Sequence, residues 1–342
     1  MRMDQRKKMV LEAIIKSYIE TAEPVGSRLI ARKYDLGVSP ATVRNEMADL
    51  EEMGLIEQPH TSAGRIPSDI GYRYYVDCLM KDHQLSSAET AFIKDRYSVK
   101  VEQIEEVLER TGKLLSNITD YVALVTGPQA GGSYVKDVRL LMLNPGKALL
   151  MVVFQGGLVQ HSTIDMPEIL TVSDMERISN VLNHNLQGYA IQQLKEETLI
   201  EICQQVIREK LILNNIVSAL SDYLIGSQGG QIYLGGTLNI LNQPEFNDLE
   251  KVKMLLRNLE EESTLREILQ NDNKQGLTIK IGGENKLEGI DQCSIITATY
   301  HINGEVAGTL GLLGPTRMKY PKAVSLVKLV TTNLSDVLKK YY

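Results

Sequence analysis

Ala41, Thr42, Arg44 and Asn45 are residue types that can read a DNA major groove, and they stand within five consecutive positions. A methyl group suits thymine, a bidentate guanidinium suits guanine, and a side-chain amide suits adenine. Such residues reach base edges only from a rigid, protruding element. Ser39 is a favoured helix N-cap, and Pro40 suits the first helical position, where a missing N–H costs nothing. Val43, Met47 and Leu50 then fall on one face at helical spacing, while Thr42, Arg44, Asn45 and Asp49 point elsewhere. The pattern predicts a helix with one face anchored and with Ser39, Pro40, Ala41, Thr42, Arg44 and Asn45 free to enter a groove.

The elements that must position this helix are visible on both sides of it. Upstream, Val10, Leu11, Ile14, Ile15, Tyr18 and Ile19 recur every three or four residues until Pro24 closes the run. Gly26 or Ser27 can start a second helix whose Leu29, Ile30 and Tyr34 face inward, before Asp35-Leu36-Gly37 turns the chain. Downstream, residues 55–58 read as a strand, residues 59–64 as a polar turn, and Arg65-Ile66-Pro67 as the return strand. That order is expected of a winged helix-turn-helix; periodicity alone would also allow a small helical bundle. In the wing, His60, Thr61, Ser62, Gly64 and Arg65 are the candidate contacts. Arg65 is expected as a wing-tip cation whose small neighbours let the DNA backbone or minor groove come close.

Charge supports this reading only locally. The chain carries a formal net charge of −6, so general attraction to a polyanion is not its strength. Cations cluster instead, as Arg2, Arg6, Lys7 and Lys8, and as Arg28, Arg32 and Lys33. Arg6, Lys7 and Arg28 are the expected phosphate contacts, which position a protein without reading sequence. A solvated charged face is the alternative for the first cluster.

At 342 residues with 43% apolar side chains, the chain is long enough for two or three domains with real cores. Cys78, Cys203 and Cys293 lie far apart, which offers neither a disulfide framework nor metal-ligand spacing, so buried free thiols are expected. No leader and no membrane-length apolar run is evident, and a cytoplasmic location is expected. His60, His83, His161, His184 and His301 show no metal-binding spacing, and no nucleophile and base can be paired. The glycines from Gly308 to Gly314 fit neither a dinucleotide fingerprint nor a phosphate loop, and read as a strand with a tight exit. Gly229-Gly230 and Gly282-Gly283 read as turns. Thr316 and Arg317 could hold an anion at a helix start, with a structural role favoured. No enzyme activity, cofactor or metal is expected.

Beyond residues 82–87, a plausible linker, Tyr97, Val101, Ile104, Leu108, Thr111, Leu115 and Ile118 alternate at spacings of four and three. One long helix is expected there, packing on a sheet in preference to a coiled coil. Strands are expected near residues 121–125, 135–143, 148–154 and 158–164, and again as a hairpin around Asn303-Gly304, with turn residues between them. The two blocks are expected to form one antiparallel sheet, closed by a helix carrying Val327, Val330, Leu334 and Val337. Two helical stripes, one of Leu199, Ile202, Cys203, Val206, Ile207 and Leu211 and one of Leu249, Val252, Leu255, Leu256 and Leu259, suggest a mostly helical insertion. The fold class is α+β multidomain.

Several segments together resemble the HrcA family of bacterial heat-inducible transcription repressors. They are Pro24-Val25-Gly26-Ser27, residues 39–51, residues 59–67, Gly71-Tyr72-Arg73-Tyr74-Tyr75-Val76, Leu241-Asn242-Gln243-Pro244-Glu245-Phe246 and Gly314-Pro315-Thr316-Arg317-Met318. The resemblance implies a winged helix-turn-helix domain over 1–81, a GAF-like domain in two parts over 82–184 and 276–342, and an inserted dimerisation domain over 185–275. It also implies a homodimer that represses chaperone operons from an inverted repeat in double-stranded DNA. A chaperonin would keep that repressor active, and heat would divert the chaperonin to other clients. A dimer makes physical sense, because a two-fold protein reads half-sites placed about 10–10.5 base pairs apart, or multiples of that. The rival expectation is a metabolite-responsive regulator with a ligand in the GAF-like domain; an enzyme with a DNA-binding appendage is a distant third.

Overall fold

Asp4 starts the first helix by accepting the Lys7 N–H at 2.8 Å, and α1 (Gln5–Thr21) runs from it. α2 (Ser27–Lys33), α3 (Pro40–Glu52) and the short antiparallel ribbon β1 (Ile56–Glu57) and β2 (Ile66–Pro67) complete a winged helix-turn-helix. The computed structural model describes residues 3–60, 63–98, 103–128, 134–155, 159–189, 200–201, 210–221, 231–269 and 276–340. Val10, Leu11, Ile14, Ile15, Ile30, Val43 and Leu50 are all fully buried where the three helices meet. Leu29, expected inside, is 45% exposed. The seven-residue α2 turns a single narrow ridge inward, and Ile30 occupies it. α4 (Asp69–Tyr74), widening into a π-turn at Tyr75–Leu79, leads out of the domain.

The long helix expected next is two helices, α5 (Ser87–Ser98) and α6 (Ile104–Thr119), so its seam is interrupted between Tyr97 and Ile104. Position 101 of that seam lies outside the described residues. As expected, α6 packs on a sheet, against β3 (Val122–Thr126). After β3 the chain forms a three-stranded meander of β4 (Val135–Asn144), β5 (Lys147–Phe154) and β6 (Val159–Asp165), covered by α7 (Val172–Leu186) and α8 (Lys210–Ser221). It returns as β7 (Ile232–Gly235), two 3-10 turns (Thr237–Asn242 and Pro244–Phe246), α9 (Leu249–Glu260) and α10 (Glu262–Leu269). β8 (Leu277–Ile281), the hairpin of β9 (Cys293–Ile302) and β10 (Glu305–Pro315), and α11 (Tyr320–Leu338) end it.

The strands do not form the single sheet that their alternation predicts. β7-β3-β10-β9-β8 is one antiparallel sheet and β4-β5-β6 is another. β3 pairs with β10 on one side and β7 on the other, so the excursion lies between Thr126 and Ile232, earlier than the expected 185–275. Among its described residues a three-stranded sheet stands beside two helices, where a mostly helical insertion was expected. α9 and α10, expected in the insertion, cover one face of the larger sheet. Val122, Leu124, Ile295 and Leu313 point to them, while Ala123, Val125, Ile296 and Leu312 point to the face under α6 and α11. Burial tells the two sheets apart. Every residue of β3 is buried, as in a strand covered on both faces, while β5 alternates like a strand with one open face. The stripe from Leu199 to Leu211 lies outside the described residues, except for the backbone of Leu211.

The smaller sheet has its own core, with Val138, Leu140, Leu150, Val152 and Phe154 packed on Ile178, Leu182 and Ile216. Its β4 edge is closed by side chains of α7. Asn183 Oδ1 accepts the Val138 N–H at 2.5 Å, its amide donates to Val138 O at 2.8 Å, and Ser179 Oγ accepts the Leu140 N–H at 2.8 Å.

Of the thiols expected to be buried, Cys293 is buried but Cys78 is exposed, because the π-turn buries only Tyr75. Cys203 lies outside the described residues. Burial, with a smaller contribution from Asp291, pushes the Cys293 thiol up to about 12. The thiolate is the reactive form, so a thiol reagent at pH 8 should modify Cys78 in the folded protein and spare Cys293 until denaturant is added. Peptide mapping by mass spectrometry checks this, and labelling of Cys293 as fast as Cys78 would contradict the packing described.

Candidate nucleic-acid interface

The reading helix α3 is held at both ends. Ser39 Oγ accepts the Thr42 N–H at 3.1 Å and Pro40 takes the first helical position. At the other end, the N–H groups of Gly54 and Leu55 return to Glu51 O and Leu50 O, each at 2.9 Å. Ser39, Pro40, Ala41, Arg44 and Asn45 are exposed. Thr42 is half-buried, and its hydroxyl lies 3.0 Å from Ser39 Oγ.

The rear of α3 carries a residue that the sequence reading missed. Glu46 sits in phase with Val43, Met47 and Leu50 and is only 4% exposed. A buried carboxylate is costly unless paired. Here Arg6 Nε reaches Oε1 at 2.6 Å, and Lys7 Nζ lies 3.0 Å from Oε2 and 2.9 Å from Asp49. Asp49 and then Glu46 hold the Lys7 ammonium above the ordinary lysine range. Arg6 and Lys7, expected to hold phosphates, are therefore engaged within the domain, binding α1 to the back of α3. The available signal was the helical phase of Glu46 itself, together with two cations opposite.

The wing also differs from expectation. Arg65 stands at its base, not its tip. Its backbone exchanges hydrogen bonds of 2.8 and 2.9 Å with Val25, and its guanidinium reaches Glu51 of α3 at 2.7 and 2.9 Å. Gly64 is required there, because a Cβ would lie 2.6 Å from the Val25 carbonyl carbon and oxygen. His60 is exposed and its carbonyl accepts the Ala63 N–H at 2.9 Å, closing the turn; Thr61 and Ser62 lie outside the described residues.

Once these pairs are set aside, the cations left available become clear. Lys33 is tied to Glu20 at 2.5 Å, whereas Arg28, Arg32 and Arg44 are exposed and make no ion pair among the described residues. Arg28 lies in the first turn of α2, Arg32 in its last, and Arg44 one turn into α3, so the three stand on the two helices of the helix-turn-helix. Among the described residues no three His, Cys, Asp or Glu side chains gather to hold a metal ion, and no helix is long and apolar enough to cross a membrane.

Comparison with known proteins agrees with this geometry. A family described as "Winged helix-turn-helix transcription repressor, HrcA DNA-binding" matches residues 2–74, and "HrcA protein C terminal domain" matches residues 105–324. The heat-inducible transcription repressor HrcA of Moorella thermoacetica is 50% identical, covering 100% of both chains. That of Bacillus pumilus is 39% identical, covering 99% of each. A crystal structure described as that of a hypothetical protein superposes with a TM-score of 0.63 at 24% identity, covering 100% of both chains.

The Ser39→Ala substitution should cost about 1 kcal/mol of stability in denaturant unfolding, through loss of the cap. Arg6→Ala should leave the salt dependence of DNA binding unchanged, where loss of a phosphate contact would lower the slope by about one unit. A binding titration over a range of salt concentrations distinguishes the two.

Proposed function

The chain belongs to the HrcA family of heat-inducible transcription repressors, and on that premise we propose that it acts as a homodimer on an inverted-repeat operator upstream of chaperone operons. The carrying observation is the exposed edge of Ala41, Arg44 and Asn45 on a helix capped at its start and pinned at its rear. The side chains of Ser39, Pro40, Ala41, Thr42, Arg44 and Asn45 are proposed to enter the major groove, with Arg28 on a phosphate and His60, Thr61, Ser62 and Gly64 of the wing along the flank. Repression follows from occupancy alone, and no catalysed step is invoked.

Dimerisation has a surface to use. Among the described residues, the face of the smaller sheet turned away from α7 and α8 sets Leu141 beside Leu149 and Val153 beside Val159, with Leu141 47% and Val159 45% exposed. Control by a chaperonin fits a chain whose inserted unit has a core of its own. Such a unit can open separately and expose apolar surface for a chaperone to hold.

Arg44→Ala and Asn45→Ala should each weaken binding to the operator by about 1–3 kcal/mol while changing binding to scrambled duplex little. Equal losses on both duplexes would make them phosphate clamps. The same titration at two temperatures, with and without chaperonin, tests the control. Chaperonin should raise the DNA-binding fraction after heating, and no change would remove it from the scheme.

A further inference from the structure

Three of the family-like segments lie outside the reading helix and the wing, yet the fold brings them to one place. Gly71 to Val76 lies on α4 and the π-turn at the exit of the winged domain, Leu241 to Phe246 lies on the 3-10 turns of the body, and Gly314 to Met318 joins β10 to α11. Arg73 of α4 reaches across to the body. Its Nε donates to Glu284 Oε1 at 2.8 Å, a second nitrogen bonds the other carboxylate oxygen and donates to Ile279 O at 2.5 Å, and its third meets Asp77 at 3.2 Å. Burial pushes the Glu284 carboxyl up, but Arg73 and the Ile281 N–H outweigh it and leave it below its ordinary range. Beside this pair, Asp69 accepts the Gly283 N–H at 2.9 Å. Gly282, at φ +52°, leaves the carboxylate room that a Cβ would take.

Arg317 makes the mirror connection from the body. It pairs with Glu245, reaches Gln243 Oε1 at 3.3 Å and donates to Ile19 O of α1 at 3.2 Å. Between the two guanidiniums, the buried rings of Tyr72 and Tyr320 pack with centroids 5.9 Å apart. Tyr320 is fixed in turn by Ser294 at 2.6 Å. A domain tied only by residues 80–86 could swing; one held by two arginine clamps and an aromatic contact cannot rotate without breaking one of them.

We propose that Arg73 and Arg317 are positioning residues that set the bearing of the recognition helix relative to the body, so that this junction determines which half-site spacing the dimer accepts. The proposal rests on the homodimer reading above. Each inserted base pair turns one half-site by roughly 34–36° and shifts it by about 3.4 Å, within the helical repeat of DNA. A rigid dimer refuses that change, and a loosely tethered one follows it.

The test uses the full chain and an inverted-repeat duplex selected by it from random sequence. It compares the selected spacer, the same site with five base pairs inserted, and a single half-site. The wild-type chain should lose about tenfold or more on the insertion, as bivalent engagement fails. Arg73→Gln, Arg317→Gln and Glu284→Gln should keep half-site affinity within about twofold and discriminate the inserted spacer by less than about threefold. A merely structural role would lower half-site binding or the unfolding temperature without moving that ratio. Variants that keep the wild-type ratio overturn the proposal, as does loss of half-site binding in Arg73→Gln or Arg317→Gln when Glu284→Gln retains the ratio. A wild-type chain indifferent to spacing overturns the homodimer reading itself, and the proposal with it.

Discussion

A charged carboxylate inside an apolar three-helix core is the constraint on which the reading surface depends. Glu46 stands where α1 and α3 meet, and only Arg6 and Lys7 make its burial tolerable. An apolar residue there would need only a matching volume, whereas a carboxylate facing two cations on one helix is satisfied only where Arg6 and Lys7 can reach it. The depth and rotation of α3 against α1 are therefore set from behind. Cations that look suited to phosphate are used to aim the side chains on the opposite face.

The same division of labour extends outward. Arg65 couples the wing to the end of α3 through Glu51, and Arg73 and Arg317 couple the winged domain to the body. At each level a guanidinium bridges two elements with a carboxylate or a carbonyl. This suits a fork of fixed geometry, which gives direction as well as attraction. In the helix-turn-helix, Arg28, Arg32 and Arg44 have no such partner among the described residues and are left facing solvent.

What could be read from the sequence was what is local. The cap at Ser39, the phase of Val43, Met47 and Leu50, the ribbon after Gly54 and the turn at Asn303-Gly304 each follow from a few adjacent residues, and the structure has them. Pairings between distant segments were not legible. β3 bonds to strands more than a hundred residues away, and nothing in its alternation distinguishes β10 from β4 as a neighbour. Charge was misread for a related reason. Arg6, Lys7 and Arg65 look alike from composition, and only the fold reveals the carboxylates opposite them. Glu46 was overlooked because a glutamate in a helix is by default assigned to solvent.

The amide of Asn183 and the hydroxyl of Ser179 imitate a missing neighbour along β4, bonding the N–H groups of Val138 and Leu140 and the carbonyl of Val138. While α7 stays in place, the bonds at Val138 and Leu140 keep a foreign strand from being added along that stretch of β4. Once α7 lifts away, the same margin becomes a template for copies of itself. α7 thus does two jobs with one surface: its apolar side roofs the small core, and its polar side chains stand guard over the rim of the sheet.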